Sequence, residues 1–129
     1  MKKKIITLLL ATCFALSVTG CGENKDLTKY RKEMDEFFAD IEIIHNKMNT
    51  IDAESEEALD ELFECLDDLD SEFKAMAKIE VPEEFSSLES LADEASENMS
   101  LAVENYHDAY SKDSYNEYTA ATADEYYAR

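Results

Sequence analysis

Apolar residues recur along the middle of the chain at alternating spacings of three and four positions. This spacing places them on one side of an α-helix, because 3.6 residues make a turn. The first such stripe predicts a helix over about residues 27–49, and Phe38 and Ile43 widen it enough to indicate more than one neighbour. The stripe consists of Leu27, Tyr30, Met34, Phe37, Ile41, Ile44, Met48 and Ile51.

Two further stripes follow with the same spacing. The second helix is expected to begin after a cap at Asp52 or Ser55 and to end near Lys78. Pro82 is expected at the first position of the third helix, where a missing N–H costs nothing. The second stripe is Leu59, Leu62, Leu66, Leu69, Phe73 and Met76, and the third is Phe85, Leu88, Ala92, Ala95, Met99, Ala102, Tyr106 and Ala109.

A short fourth helix is predicted over about residues 115–128. Ser114 and Glu117 match the S-x-x-E capping box, in which each side chain bonds to a free backbone N–H. Because so short a helix is unstable alone, we expect it to fold back on the alanine-rich third helix. With short links between helices, the sequence predicts an all-α fold: an antiparallel three-helix bundle with a short fourth C-terminal helix. The scarcity of glycine (2) and proline (1) agrees, since β-folds need many turns.

The N-terminus has a different pattern. Three lysines at positions 2–4 precede an apolar run over residues 5–18. A membrane-spanning helix needs about 20 apolar residues. A positive start followed by a shorter apolar run is instead typical of a secretory signal peptide.

The apolar run ends in Val18-Thr19-Gly20-Cys21, which resembles the lipobox of bacterial lipoproteins. The resemblance implies cleavage between Gly20 and Cys21, removal of residues 1–20, and a diacylglycerol on the Cys21 thiol. Residues 21–26 would then form a tether and residues 27–129 the bundle domain, held at the extracytoplasmic face of the cell membrane. Cys13 is a rival site, but it would leave the apolar residues 14–16 stranded after the cut.

Charge narrows the possible partners. The whole chain has a net charge of −19, and the part from Cys21 onwards has −22, with 9 basic against 31 acidic residues. Nucleic acids are excluded as partners because phosphate contacts need Lys and Arg. Cations, basic peptides or simple solubility remain as explanations. The acidic run over residues 67–72 keeps helical phase and lacks the glycine of a calcium loop, which favours a solvated face with at most weak divalent-cation binding.

Two E-x-x-H pairs, Glu42 with His45 and Glu104 with His107, contain both histidines of the chain. Facing pairs of this kind bind two metals in ferritin-like bundles, together with two more glutamates. Glu42, Glu104 and His107 fall outside the apolar stripes. A metal site in the interior of a bundle needs ligand side chains that point inward. Chance pairing in a glutamate-rich chain is therefore favoured, and no cofactor other than the lipid on Cys21 is expected.

Two residue types remain as candidates for chemistry. Cys65 lies beside the second stripe and is expected to be a partly buried structural thiol, with an intermolecular disulfide as the alternative. Six of the seven tyrosines lie between positions 106 and 127. They are expected to pack the fourth helix or to form a polar aromatic patch for a peptide, glycan or protein. The candidate patch residues are Tyr115, Tyr118, Tyr126 and Tyr127, of which the last two are expected to be the most exposed.

Taken whole, the chain resembles the small acidic helical lipoproteins of Gram-positive anaerobes that are grouped as domains of unknown function. The likeness rests on the lysines, the lipobox, Val81 to Phe85 before a long helix, and the tyrosine-rich end. It implies location and architecture, with no catalytic residues to carry over. We expect a binding module for an envelope protein or small ligand; the alternative is a structural envelope protein that self-associates through its helices. Without a visible nucleophile–base pair or phosphate loop, an enzyme is not expected.

Overall fold

The computed structural model describes residues 24–111 and 114–129, and these residues form an all-helical fold. The four α-helices are α1 (Lys25–Asn49), α2 (Ala58–Met76), α3 (Ser87–Ala109) and α4 (Glu117–Tyr127). A one-turn 3-10 helix, Glu83–Phe85, precedes α3. The predicted all-α bundle is confirmed.

Contacts between neighbouring helices show that they run antiparallel. Lys47, near the end of α1, pairs with Glu64 in the first half of α2 at 2.9 Å. His107, near the end of α3, lies 2.7 Å from Asp67 of α2, whereas the earlier Ser100 of α3 donates to the later Asp70 of α2. The backbone N–H of Asn116 donates to the carbonyl of Ala109, which returns the chain from α3 into α4.

The core lies where α2 packs between α1 and α3. Its central cluster consists of Ile44, Cys65, Leu66, Leu69, Met99 and Val103. Every member except Cys65 and Val103 belongs to a predicted stripe, so the spacing identified most of the core. Buried alanines on α3 and α4, such as Ala109 and Ala123, let those two helices approach closely.

Helix ends differ from the prediction in small but explicable ways. α1 begins at Lys25 because the Asn24 side chain accepts hydrogen bonds from the N–H groups of Asp26 and Leu27. α2 begins later than expected, at Ala58. Its N-cap residue is Glu57, whose side chain makes no capping hydrogen bond. Asp52 and Ser55, the expected caps, instead accept hydrogen bonds within the connector, from the N–H groups of residues 54 and 57.

The capping box predicted for the fourth helix is wrong. The cap is Asn116, whose side-chain oxygen accepts from the N–H of Thr119 at 3.1 Å. Ser114 is engaged in a turn, where its N–H donates to the Ser111 hydroxyl. The helix consequently begins at Glu117, two residues later than expected. Pro82 likewise precedes the 3-10 turn rather than starting α3.

Candidate functional site

A groove of about 410 Å³ opens where the four helices meet, at the end of the bundle formed by the last turns of α1, α3 and α4. We call it the tyrosine groove. It is lined by His45, Met48, Asn49, Leu62, Leu66, Tyr106, Tyr110, Asp124 and Tyr127. Its volume lies within the range of small-molecule sites, which is about 300–1,000 Å³.

The floor of the tyrosine groove is continuous with the core. Leu66 is 3% exposed and belongs to the central cluster, while Met48 and Leu62 are half-buried and pack against it. Their positions follow from the first and second stripes, which turn these side chains inward. The exposed parts of Met48 and Leu62 therefore offer apolar surface to a ligand, whereas Leu66 adds little.

Two hydrogen bonds hold the polar walls in place. His45 Nε2 lies 2.8 Å from the hydroxyl of Tyr127 and thereby connects α1 to α4. The Tyr106 hydroxyl donates to Asp124 Oδ1 at 2.6 Å and connects α3 to α4. Both contacts join residues on different helices, so the walls are formed by tertiary packing.

Three tyrosine rings lie close together on these walls. The Tyr106 ring is 6.4 Å, centroid to centroid, from the rings of both Tyr110 and Tyr127. It meets Tyr127 edge to face at 67°, a favoured arrangement for aromatic pairs. Tyr110 in turn lies 5.2 Å from Tyr115 outside the groove.

The tyrosine hydroxyls of the groove are held in their protonated form. Burial raises the pKa of Tyr106, and its hydrogen bond to the Asp124 carboxylate raises it further. Burial is also the main cause that raises the pKa of Tyr110 and the cause that raises the pKa of Tyr127. Like an ordinary tyrosine, each of these groups is uncharged at neutral pH, and its raised pKa extends the uncharged range to higher pH.

The structure divides the predicted tyrosine patch. Of its four residues only Tyr127 lines the groove, and it is 39% exposed. Tyr118 and Tyr115 are more exposed, at 83% and 58%, so the expectation that Tyr126 and Tyr127 would be most exposed is wrong. Tyr126 is half-buried, with the Arg129 guanidinium 5.0 Å from its ring centroid.

Tyr106 and Tyr110 belong to the six tyrosines from which the sequence predicts an aromatic patch, but the four named patch residues do not include them, and Asp124 was not predicted at all. The spacing of Tyr106 and Tyr110 by one helical turn was the available signal. Asp124 carried no signal of its own, because one carboxylate among 31 acidic residues does not stand out.

The two E-x-x-H pairs do not come together. Glu42 and Glu104 are exposed, His45 faces Tyr127, and His107 stacks on the Phe63 ring at 4.2 Å while contacting Asp67. Within residues 24–111 and 114–129, no group of three or more His, Cys, Asp or Glu side chains is arranged to hold a metal ion. Both histidines instead connect helices.

The remaining candidates also have structural surroundings. The acidic run lies within α2, where Asp70 accepts hydrogen bonds from Lys74 and Ser100 and Leu69 is fully buried. Cys65 is 0% exposed, so it is more deeply buried than the partial burial expected, and burial raises the pKa of its thiol. A low-pKa, accessible nucleophile is therefore not formed at Cys65.

A second depression of similar size lies at the opposite end of the bundle. Its lining includes Asp26, Lys29, Glu80 and Pro82. Lys29 and Glu80 form a 3.5 Å ion pair whose side chains are mostly exposed. Exposed ion pairs contribute little stability, and the lining of this depression is mostly charged, whereas the floor of the tyrosine groove is apolar.

No protein-family model, curated protein or solved structure matches this chain. None of the helices in the described part of the chain is both long and apolar enough to cross a membrane. The lipobox residues Val18 to Cys21, with Gly20 and Cys21 at the expected cleavage site, lie outside the described residues.

Proposed function

We propose that the protein is a lipid-anchored binding module on the extracytoplasmic face of the cell membrane, and that its ligand occupies the tyrosine groove. The anchor part of the proposal rests on the lipobox that ends in Cys21. The binding part rests on the groove itself, which combines an apolar floor with a few positioned polar groups. Sites for small molecules commonly have this composition.

The observation that carries the proposal is the pair of contacts between helices on the groove walls. His45 with Tyr127, and Tyr106 with Asp124, hold polar groups beside an apolar surface that the fold leaves uncovered. Groups held in place before binding lose less freedom when a ligand arrives.

Native mass spectrometry of the protein purified from its own cells tests this proposal. We expect a bound small molecule in the wild type, and its loss in Asn49→Trp, since Asn49 lines the groove and an indole would fill it. Asn46→Trp is the matched control, because Asn46 is exposed on the same helix and does not line the groove. A molecule retained by Asn49→Trp, or absent from the wild type, would contradict the proposal.

A structural envelope protein that self-associates is the second candidate. It is favoured by large apolar side chains left on the surface, Ile43 at 64% and Leu91 at 60% exposed. However, several residues of the apolar stripes pack against one another within this chain and form its core. Light scattering on the anchored protein in lipid nanodiscs of known size separates the two: one copy per disc favours the binding module, and several copies favour self-association.

A further inference from the structure

We infer that the ligand of the tyrosine groove is a small organic cation, such as a substituted ammonium ion, bound between the Asp124 carboxylate and the tyrosine rings. This inference deepens the proposed function and depends on it. It is drawn from the charge, the aromatic rings and the apolar floor of the groove, and each of these favours a different property of the ligand.

The charge of the groove and of the chain favours a ligand with a positive charge. Among the described residues that line the groove, Asp124 is the one carboxylate and none is Lys or Arg, while the histidine of the lining, His45, contacts the Tyr127 hydroxyl. As a carboxylate, Asp124 contributes the formal negative charge of this lining, and it accepts a hydrogen bond from Tyr106. The net charge of −19 on the chain adds a long-range field that attracts cations and repels anions. An anionic ligand would meet both repulsions in a partly desolvated groove.

The aromatic walls select the kind of cation. The Tyr106 ring has two neighbouring rings, those of Tyr110 and Tyr127, each with its centroid 6.4 Å away. A cation within about 6 Å of a ring centroid is attracted by the negative face of the ring, and methylated ammonium ions suit such sites because they are weakly hydrated. A bare metal ion would need oxygen ligands in larger number.

The floor excludes highly hydroxylated ligands. Met48, Leu62 and Leu66 offer apolar contacts and no hydrogen bonds from their side chains. A sugar placed on them would bury hydroxyl groups without partners, which costs free energy. Alkyl groups on an ammonium ion make favourable contacts with the same surface.

Three probes of one shape separate the charge of the ligand from its size. Choline, 3,3-dimethyl-1-butanol and 3,3-dimethylbutanoate share a bulky trimethyl head and carry a positive, zero and negative charge. Each would be titrated into the mature lipidated protein in nanodiscs, with carbon-13 labels on the tyrosine rings. We expect choline to shift the signals of Tyr106, Tyr110 and Tyr127 with at least about tenfold higher affinity than the alcohol. Tyr30 and Tyr118, outside the groove lining, should not shift and serve as internal controls.

Asp124→Asn tests the carboxylate without changing its shape. We expect choline binding to weaken by about tenfold or more and binding of the alcohol to stay unchanged, because only the cation loses a charge contact. Glu125→Gln changes the net charge equally one residue further on, at a side chain that pairs with Arg129 outside the groove. It should leave choline binding nearly unchanged, and equal losses in the two variants would overturn the role of Asp124.

The outcomes distinguish this inference from the proposed function. If the alcohol or the acid shifts the groove tyrosines as strongly as choline, the groove binds ligands but does not select cations, and only the inference falls. If none of the three probes shifts the groove tyrosines and native mass spectrometry finds no ligand, both fall. A ligand retained in native mass spectrometry that proves to be neutral or anionic overturns the inference alone.

Discussion

At the scale of single residues, the tyrosines differ in how folding changes their surroundings. Tyr106 donates to Asp124 and is partly buried among other rings, whereas Tyr118 on α4 is 83% exposed. The periodicity of the sequence identified Tyr106 as inward-facing. It could not identify its partner, because Asp124 is 18 residues away and reaches it only through the turn between α3 and α4.

The raised pKa values of the groove tyrosines predict a loss of stability at high pH. In the unfolded chain a tyrosine releases its proton near pH 10, whereas Tyr106, Tyr110 and Tyr127 retain theirs to higher pH in the folded state. The folded state therefore binds more protons above about pH 10, and the free energy of unfolding falls as pH rises. The stabilising contribution is complete below pH 10 and is lost as pH rises through the folded-state pKa.

Thermal unfolding measured by circular dichroism between pH 8 and pH 11 checks this prediction. Tyr106→Phe removes one of the shifted groups, so its melting temperature should fall less steeply with pH than that of the wild type. Tyr118→Phe is the control, and its slope should match the wild type. If the melting temperatures of the wild type and both variants fell equally steeply with pH, the Tyr106 hydroxyl would have no part in the pH dependence.

The side chain of Cys65 tests how strongly stability depends on one buried atom. Its thiol is 0% exposed within the central cluster. Cys65→Ser places a hydroxyl among apolar side chains and should lower the free energy of unfolding by about 1–3 kcal/mol. Cys65→Ala removes one atom without adding polarity and should cost about 1 kcal/mol. Urea unfolding compares the two, and a serine variant as stable as the alanine variant would contradict this description of the site.

At the scale of elements, helix interiors were predictable from sequence and helix ends were not. The stripes placed residues such as Phe37, Leu69 and Met99 on inward faces, and all three are buried. Ends depend on which of several suitable caps is used, and Asn, Asp and Ser have nearly equal preference there. Ser114 was the expected cap of the fourth helix, but the turn with Ser111 engages it and leaves the role to Asn116.

Replacement of the α4 cap tests that assignment. Asn116→Ala should destabilise the protein by about 1 kcal/mol, because the N–H of Thr119 loses its acceptor. Amide exchange at Thr119 should accelerate in the same variant. Ser114→Ala should affect this amide far less, whereas a capping box would make the serine substitution the more damaging of the two.

The groove could not be predicted from local sequence patterns either. Its residues span positions 45 to 127 and come from all four helices, so no local pattern could have brought them together. The two E-x-x-H pairs show the converse case, in which a local pattern suggested a site. His45 and His107 face different partners because their helical phases direct them to different neighbours.

At the scale of the whole molecule, a highly acidic bundle is combined with a lipobox-like N-terminus. The apolar stripes supply most of the central cluster of the core, in which Ile44, Leu66, Leu69 and Met99 are stripe members. We propose that the acidic surface keeps the domain soluble and away from anionic lipid headgroups while the lipid on Cys21 holds it near them. Two acyl chains bind a bilayer far more stably than one.

Mass spectrometry of the protein isolated from its own cells tests the anchor most directly. We predict an N-terminal peptide that begins at Cys21, lacks residues 1–20 and carries a diacylglycerol on the thiol. Cys21→Ala should prevent both changes and leave unprocessed precursor or protein released into the medium. An intact leader in the wild type, or an unmodified Cys21, would contradict the account.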